Sequence, residues 1–375
     1  MDSGNKLFLL DAYALIYRAY YAFIKNPRIN SKGFNTSAIL GFVNTLEEVL
    51  KKENPTHIGV AFDPAGPTFR HEAFEQYKAQ REETPEAIRL SVPIIKDIIR
   101  AYRIPILEVA GYEADDVIGT LATEAGRQGI TTYMMTPDKD YGQLVSDKVF
   151  MYRPKHTGGF EVMGVEEVKA KFDIQSPAQV IDMLGLMGDS SDNIPGCPGV
   201  GEKTAQKLIS EFGSIENLLE HTDQLKGALK TKVETNREMI TFSKFLATIK
   251  IDVPIQLEMD SLVREEADED SLRSIFEELE FRTLIDRVLK KEVSGNGITS
   301  TPGSKVATGK SAPSPLPLFP EEGGGIQGDL FANFTPNEPD EAKKSNLETL
   351  ESQPHNYQLL SLIHISEPTR LALIS

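Results

Sequence analysis

Three short apolar runs, each with an aspartate at or near its end, constrain the fold of this chain more than any other feature. They lie at residues 6–12, 57–63 and 132–138. Runs this short and this apolar are typical of buried strands in a parallel sheet. Helical patterns separate them, at residues 38–51, 86–102 and 114–128. The alternation predicts an α/β fold with a mainly parallel central sheet flanked by helices.

The predicted strand ends carry acidic side chains. Asp11, Asp63 and Asp138 stand at the carboxyl ends of strands, where functional sites lie in such sheets. Asp140 would share one side of an extended segment with Asp138. We therefore expect these carboxylates to meet at one edge of the sheet.

Two further acidic clusters follow, one at a predicted helix start and one in a glycine-rich loop. Their members are Glu113, Asp115, Asp116, Asp189 and Asp192. Each cluster alone has an ordinary explanation, because acids are common at helix starts and aspartate forms caps and turns. Nine such acids in one chain indicate a metal site more strongly than solvated turns.

The chemistry of the acids predicts which ions they bind. Two carboxylates about 4 Å apart repel by on the order of 4 kcal/mol at the effective dielectric of a protein surface, so several together require cations. Oxygen ligands favour Mg²⁺ or Mn²⁺. Two such ions, about 3.5 to 4 Å apart, can polarise a phosphodiester, activate water and stabilise the leaving oxygen.

Basic and glycine-rich segments predict a nucleic-acid partner. Gly199 and Gly201 open a helix and would let a phosphate approach backbone N–H groups, although a plain tight turn is the alternative. The same helix carries Lys203, Thr204 and Lys207. Basic and aromatic side chains that could bind phosphate or stack on bases are Tyr17, Arg18, Phe69, Arg70, Tyr77, Lys78 and Arg81. A solvated charged helix is the alternative for the segment at 69–81.

Composition bounds the remaining possibilities. The formal net charge of −16 is only weak evidence against a nucleic-acid partner, because many of the acids are expected to surround metal ions. Local basic stretches are then the better guide to nucleic-acid binding. The single cysteine, Cys197, excludes an internal disulfide and is expected to pack rather than react. With no recognisable signal peptide or membrane-spanning run, we expect a cytoplasmic protein that contacts no membrane.

Together the motifs resemble the 5'-nuclease domain of bacterial DNA polymerase I, a relative of the flap endonucleases. The resemblance covers residues 6 to about 290, including the segments GYEADDV, TPDKD, GDSSDNIPG and GVGEKTA. It implies one ion held by Asp11, Asp63, Glu113, Asp115 and Asp116, and a second held by Asp138, Asp140, Asp189 and Asp192. It also implies that Lys78 and Arg81 lie on a helical arch, that Arg70 contacts phosphate, and that the glycine hairpin is a helix-hairpin-helix-like duplex grip.

The implied function is a structure-selective 5'-3' exonuclease and flap endonuclease. It would act, as a monomer, on 5' flaps, nicks and RNA primers during lagging-strand maturation and repair. Polymerase activity is expected to be absent from this chain. The alternatives are a non-catalytic flap-binding module, which would need losses at the metal site, and a PIN-like RNA nuclease, which would lack the hairpin and arch.

The pattern divides the chain into four parts. Residues 1–175 are the predicted α/β core with an arch near 69–100, and 176–292 are a helical DNA-binding lobe. Residues 293–345 read as a flexible linker, and 346–375 as a truncated further domain whose end resembles a translated sequencing adaptor. Within the linker, Gln327–Phe331 resembles the peptides that dock on the sliding clamp, although a chance match is the alternative.

Overall fold

A six-stranded sheet forms the centre of the part of the chain that the computed structural model describes, residues 4–155 and 159–289. The strands are β1 (Lys6–Asp11), β2 (His57–Ala61), β3 (Ile106–Leu107), β4 (Thr131–Met135), β5 (Val149–Pro154) and β6 (Phe160–Met163). Their order is β3-β2-β1-β4-β5-β6, and every neighbouring pair is parallel except β5 and β6. The predicted α/β class with a mainly parallel sheet is confirmed.

Helices connect the strands and build the second half of the described chain. The first six are α1 (Ala12–Ala22), α2 (Ser37–Lys52), α3 (Phe69–Ala73), α4 (Glu86–Ala101), α5 (Ala114–Arg127) and α6 (Val165–Phe172). The others are α7 (Gln179–Met187), α8 (Glu202–Phe212), α9 (Ile215–Glu220), α10 (Gly227–Thr235), α11 (Arg237–Ala247), α12 (Glu269–Glu278) and α13 (Arg282–Val288). None of these helices combines the length and apolar character that crossing a bilayer requires.

Alternate side chains of β1 enter two separate cores, because successive residues of a strand point to opposite faces. Leu7 and Leu9 pack in the core that includes α5 and the helices α7, α8 and α11. Phe8 and Leu10 pack in the core that includes α2, α4, α12 and α13. Helices therefore cover both faces of the sheet, and the carboxyl ends of the strands remain as the edge where functional groups can gather.

The helical lobe is shorter than the sequence predicted. Helices α7 to α11 form it, but the chain then returns to the sheet, where Val263 bridges to His57. Leu272 and Phe276 of α12 and Leu284 of α13 are buried with α2 and α4. This apolar surface draws residues 269–288 back to the core, so the lobe predicted over 176–292 ends before α12. The predicted linker at 293–345, the segment 346–375 and Gln327–Phe331 lie outside the described residues.

The predicted arch near residues 69–100 also has a different form. Turns at 74–85 separate α3 from α4. Helix α4 belongs to the core, because its Ile88, Ile95 and Ile98 are fully buried. Within the described residues, the part of this segment that faces the strand ends is thus a short helix followed by turns.

Two glycines let the acidic loop close on itself after α7. Gly188 and Gly196 have left-handed backbones, with φ of +73° and +61°. Between them Asp189 and Ile194 exchange two backbone hydrogen bonds, with N–O distances of 3.0 and 2.7 Å. A Cβ on Gly196 would collide with the backbone of Gly188. The loop that carries Asp189 and Asp192 therefore depends on an approach that only glycine allows.

Gly196→Ala should destabilise the protein strongly. The left-handed backbone costs an alanine about 1 to 3 kcal/mol, and the collision with Gly188 adds to that loss. Gly33→Ala is the matched control, because Gly33 is also left-handed but has open space around its Cβ position, so about 1 kcal/mol is expected. Urea unfolding midpoints would measure both changes, and equal losses would show that the loop closure does not matter.

Candidate metal centre

The first acidic group gathers around the end of β1. Asp11 ends β1, Asp63 follows β2, and Glu113 immediately precedes α5. Burial, together with the charges of Asp63 and Asp138, raises the pKa of Asp11 to about 7. Burial likewise raises the pKa of Asp63, with Lys78 opposing and Glu113 reinforcing the shift. These mutual effects place the acids of three strand ends together.

Two hydroxyl groups that the sequence analysis missed face the same carboxylate. The side chains of Thr136 and Tyr141 donate to Oδ2 of Asp11, with oxygen–oxygen distances of 3.2 and 3.3 Å. Oδ1 of Asp11 accepts from the backbone N–H of Ala14, which caps α1. Tyr141 is buried, and burial raises its pKa well above the ordinary value, so it stays a neutral donor. No sequence motif predicted Thr136 or Tyr141, because each contributes only a single hydroxyl group to the site.

The second acidic group lies between a 3-10 turn and the loop after α7. Asp138 caps the turn Lys139–Leu144 and accepts from the N–H of Asp140 at 2.9 Å. Burial raises the pKa of Asp138, and burial with the charge of Asp138 raises that of Asp140. Both are also raised by the charges of Asp189 and Asp192. The structure therefore brings together the four acids expected at the second ion.

The two groups adjoin each other. The charge of Asp138 acts on Asp11, and that of Asp192 acts on Glu113. Asp115 completes the first group, where burial and then the charge of Asp116 raise its pKa well above the ordinary value. One continuous acidic edge results, and we call it the acidic edge below.

Lys78 and Arg81 reach into this edge. Lys78 Nζ lies 2.8 Å from Glu113 Oε1 and 3.6 Å from Asp192 Oδ2, and Arg81 forms an ion pair with Asp192. Burial alone would raise the pKa of Glu113, but the positive charges of Lys78 and Arg70 hold it below the ordinary value. Lys139 Nζ, which the sequence analysis did not assign, lies 3.0 Å from Asp189 Oδ2. Cations of the chain thus neutralise part of the acidic edge.

The segment that carries Lys78 and Arg81 is docked on the acidic loop through backbone carbonyls. Lys78 N donates to Asp192 O at 3.0 Å, and Gln80 Nε2 donates to Ser190 O at 2.6 Å. In return Asn193 Nδ2 donates to Gln76 O at 2.7 Å. The turns at 76–81 and the loop at 188–193 therefore form one unit.

Arg70 and Tyr77 differ from their predicted roles at DNA. Both are nearly fully buried, at 1% and 2% exposure. Arg70 donates inward to Asp116, Glu113 and backbone carbonyls, so it offers no hydrogen to a phosphate. The Tyr77 hydroxyl lies 3.0 Å from oxygens of both Glu113 and Asp192, and its buried ring cannot stack on a base. Burial lets both side chains organise the carboxylates instead.

The glycine hairpin lies at the start of α8 as its position in the sequence suggested. Gly199 is left-handed and exposed, and Gly201 is the N-cap residue of α8. The side chains around it comprise exposed Lys203 and Lys207 and half-buried Thr204. A further cation, Lys232 of α10, places Nζ 3.4 Å from Gly199 O. The sequence did not predict that Lys232 lies beside the hairpin, because α10 is about thirty residues away and only the fold brings the two together.

The remaining predicted contacts lie on α1 and α3. Tyr17 donates to the Thr84 hydroxyl at 2.9 Å, and Arg18 donates to Lys155 O at 3.4 Å. Phe69 is half-buried beneath the guanidinium of Arg70, which lies 4.5 Å from the ring centroid. Helix α1, which carries Tyr17 and Arg18, begins directly after Asp11.

The donor set of the acidic edge fits hard divalent cations. Oδ1 of Asp115, which lies 3.9 Å from Arg70 Nη1, and Oδ1 of Asp140 are buried and accept no hydrogen bond from the described residues, so both can accept a cation. Carboxylate oxygens are the ligands that Mg²⁺ and Mn²⁺ prefer. In residues 4–155 and 159–289, no three carboxylate, histidine or cysteine side chains converge closely enough to hold an ion as they stand. Instead, Lys78, Arg81 and Lys139 form ion pairs with carboxylate oxygens that would also contact a bound ion.

Asp11→Asn should stabilise the metal-free protein at pH 8 but not at pH 4. The raised pKa means that the folded state binds the proton more tightly than the unfolded state, so stability is lost as the pH rises from about 4 through about 7. Because Asp11 is only half-buried, we expect a gain on the order of 2 kcal/mol at pH 8. Urea unfolding with a chelator would measure it, and equal gains at both pH values would contradict the repulsion.

Comparison with known proteins identifies both halves of the described chain. A family model described as the 5'-3' exonuclease N-terminal resolvase-like domain matches residues 6–173. A second, the 5'-3' exonuclease C-terminal SAM fold, matches residues 175–270. The chain is 43% identical over 291 residues to DNA polymerase I of Bacillus subtilis strain 168, covering 77% of this chain and 33% of the relative. For DNA polymerase I of Bacillus caldotenax the identity is 42% over 287 residues, covering 76% of this chain and 32% of the relative.

The chain thus spans about a third of the length of these curated relatives.

Solved structures share the fold. The 5'-exonuclease of bacteriophage T5 with bound zinc has a TM-score of 0.55 at 21% identity, covering 74% of this chain and 99% of that one. The T5 flap endonuclease in a complex with DNA and metal ions has a TM-score of 0.53 at 22% identity, covering 74% of this chain and 100% of that one. The catalytic core of Rad2 with DNA substrate has a TM-score of 0.52 at 18% identity, covering 76% of this chain and 93% of that one.

Proposed function

The chain belongs to the 5'-3' exonuclease family, and on this basis we propose that it cleaves DNA and RNA-primer phosphodiesters at 5' flaps and nicks with two Mg²⁺ or Mn²⁺ ions. The observation that carries the proposal is the acidic edge, where eight carboxylates from the strand ends, the start of α5 and the acidic loop lie near each other. Such a concentration of like charge is favourable only with cations present. The T5 5'-exonuclease binds zinc and the T5 flap endonuclease complex contains metal ions, which supports metal dependence in this fold.

Residues of both acidic groups would hold the ions. Asp11, Asp63, Glu113 and Asp115 would serve the first ion, and Asp138, Asp140, Asp189 and Asp192 the second. When bound, divalent ions polarise a phosphate and lower the pKa of an attacking water. The protein's own contribution is to hold the carboxylates in place through Tyr77, Thr136 and Tyr141.

Lys78 and Arg81 would bind the scissile region of the substrate. Both side chains already lie against carboxylates at the acidic edge, so they are placed to contact a phosphate that approaches the ions. A cation at this position offsets the charge that a phosphodiester gains during hydrolysis. Turns at 74–85, rather than a long helix, carry them in the described chain.

The hairpin and α8 would bind the duplex without reading its sequence. Lys203, Lys207 and Lys232 surround a helix N-terminus, which favours phosphate binding. Selection would then rest on shape, with the duplex on the hairpin and the 5' strand at the acidic edge. Rad2 and the T5 enzyme carry DNA in their complexes, which supports this partner. Okazaki-fragment maturation and DNA repair are the processes that supply such substrates, and we propose that the chain acts there as a monomer.

Asp115→Asn should abolish cleavage of a 5'-flap duplex in Mg²⁺, with a loss of at least a thousandfold, because it removes a buried oxygen that no hydrogen bond uses. The assay compares a 5'-flap duplex, a single strand and an RNA hairpin, each with Mg²⁺ or with a chelator. Asp97→Asn is the control, since Asp97 is exposed on α4 and forms an ion pair with Arg100. Preferred cleavage of the RNA hairpin, or cleavage in chelator, would refute the proposal.

Lys203→Ala should weaken duplex binding and reduce its salt dependence. If Lys203 neutralises one phosphate, the slope of log affinity against log salt falls in magnitude by about one. The measurement uses fluorescence anisotropy in Ca²⁺ over a series of salt concentrations. Lys52→Ala on α2 is the matched control, because Lys52 is also exposed but α2 packs in the core on the opposite side of the sheet from the lobe. An unchanged slope for Lys203→Ala would place the duplex elsewhere.

We further propose that Gln327–Phe331 binds a sliding clamp, with Leu330 and Phe331 in an apolar pocket. The support is the sequence match alone, since the segment lies outside the described residues. An extended peptide can order on binding and raise the local concentration of the nuclease at its substrate. Titration of a labelled peptide spanning residues 323–335 with the clamp would test it. Equal binding by a peptide with Leu330→Ala and Phe331→Ala would refute it.

A further inference from the structure

One buried arginine joins three separate elements beside the acidic edge. Arg70 of α3 donates from Nε to Leu246 O and from Nη2 to Thr248 O, each at 2.9 Å. Leu246 and Thr248 belong to the end of α11, in the helical lobe. The same guanidinium donates from Nη1 and Nη2 to the two oxygens of Asp116, at 2.8 and 2.9 Å. Arg70 therefore connects the lobe directly to the first turn of α5.

Asp116 has the surroundings of a structural anion rather than of a metal ligand. It is 0% exposed. Besides the two bonds from Arg70, Oδ1 accepts from Lys250 N at 2.8 Å and Oδ2 accepts from Glu113 N at 3.1 Å. Each oxygen thus has two donors, one of them a backbone N–H. By contrast Oδ1 of its neighbour Asp115 accepts no hydrogen bond from the part of the chain that the structure describes.

The lobe end of this connection also holds the acidic loop. Ser243, one turn before Leu246 on α11, accepts from Gly196 N at 2.9 Å through its buried hydroxyl. Gly196 closes the loop that carries Asp189 and Asp192. Helix α11 therefore contacts the second acidic group through Ser243 and the first through Arg70.

We propose that Arg70 is a positioning residue, which through Asp116 fixes the first turn of α5 to the end of α11. Arg70 and Asp116, which we call the bracket, hold Glu113 and Asp115 in register with the acidic loop, and neither touches an ion or DNA. The inference rests on the proposed function, because it takes the carboxylates to bind divalent ions. It reassigns Asp116, which the family resemblance gave to the first ion, and Arg70, which it gave to phosphate. Displacing a ligand by about 1 Å is enough to cost on the order of a hundredfold in activity.

The first test measures ion binding without substrate. Calorimetric titration with Mn²⁺ would compare the parent with Asp115→Asn, Asp116→Asn and Arg70→Lys. Lysine keeps the charge but cannot donate to both oxygens of Asp116 in one plane. We expect Asp115→Asn to lose one ion. Asp116→Asn and Arg70→Lys should keep the number of ions and weaken their binding by about three- to tenfold.

A paired variant guards against simple loss of folding. Arg70→Gln with Asp116→Asn removes both charges together, so neither is left buried alone. Because the two residues share the contact between the guanidinium and the carboxylate, while Arg70 also donates to Glu113, the loss of Mn²⁺ affinity in the paired variant should be smaller than the sum of the losses in the single variants. Circular dichroism would establish that each variant is folded, and amide hydrogen exchange of residues 246–250 should increase wherever the bracket is broken.

The outcomes separate the bracket from the alternatives. Loss of one ion in Asp116→Asn would make Asp116 a ligand and overturn the inference, as would Mn²⁺ affinity in Arg70→Lys equal to that of the parent. Duplex binding in Ca²⁺ should keep its salt slope in Arg70→Lys, and a slope smaller by one would return Arg70 to the phosphate. A parent that binds no Mn²⁺ would overturn the proposed function together with the bracket, whereas a failure confined to the Arg70 and Asp116 variants leaves that function intact.

Discussion

Repulsion among carboxylates is the constraint on which the arrangement of this protein depends. Parallel strands deliver Asp11, Asp63 and Asp138 to one edge, and the pKa of each is raised because the acids are buried and near each other. A fold can retain such a cluster only if other elements supply fixed donors and cations. The interior of this protein supplies both, with hydroxyls and backbone N–H groups facing single oxygens and basic side chains entering from the turns at 74–85.

The compensation differs between neighbouring acids in one helical turn. Asp116 is fully satisfied by Arg70 and two backbone N–H groups, whereas Asp115 keeps a buried oxygen without a hydrogen bond. Helix geometry turns successive side chains about 100° apart, so adjacent acids face different surroundings. A motif of three acids therefore contains members with different roles, one facing the lobe and others facing the acidic edge.

Much of the fold could be predicted from periodicity, and less of the site. Short apolar runs identified β1, β2 and β4, and longer periodic patterns identified the helices α2, α4 and α5, because burial leaves these signatures in the sequence. Strand β3 has only two residues, and β5 and β6 mix polar and aromatic side chains, so no period marked them. The strand ends predicted which acids would gather. The inward course of Arg70 and Tyr77 could not be predicted, since a basic or aromatic residue in an exposed pattern resembles a DNA contact until its packing is known.

The docking of residues 76–81 on residues 188–193 has a consequence for the order of folding. Its hydrogen bonds join groups that are more than a hundred positions apart in the sequence, and most of them end on backbone carbonyls. Contacts of such long range form only after the closure of a large loop, which delays them relative to local structure. We infer that the loop at 188–193 docks late, once the sheet and the lobe already exist, so the early folding steps proceed with Asp189 and Asp192 still apart from the acids at the strand ends.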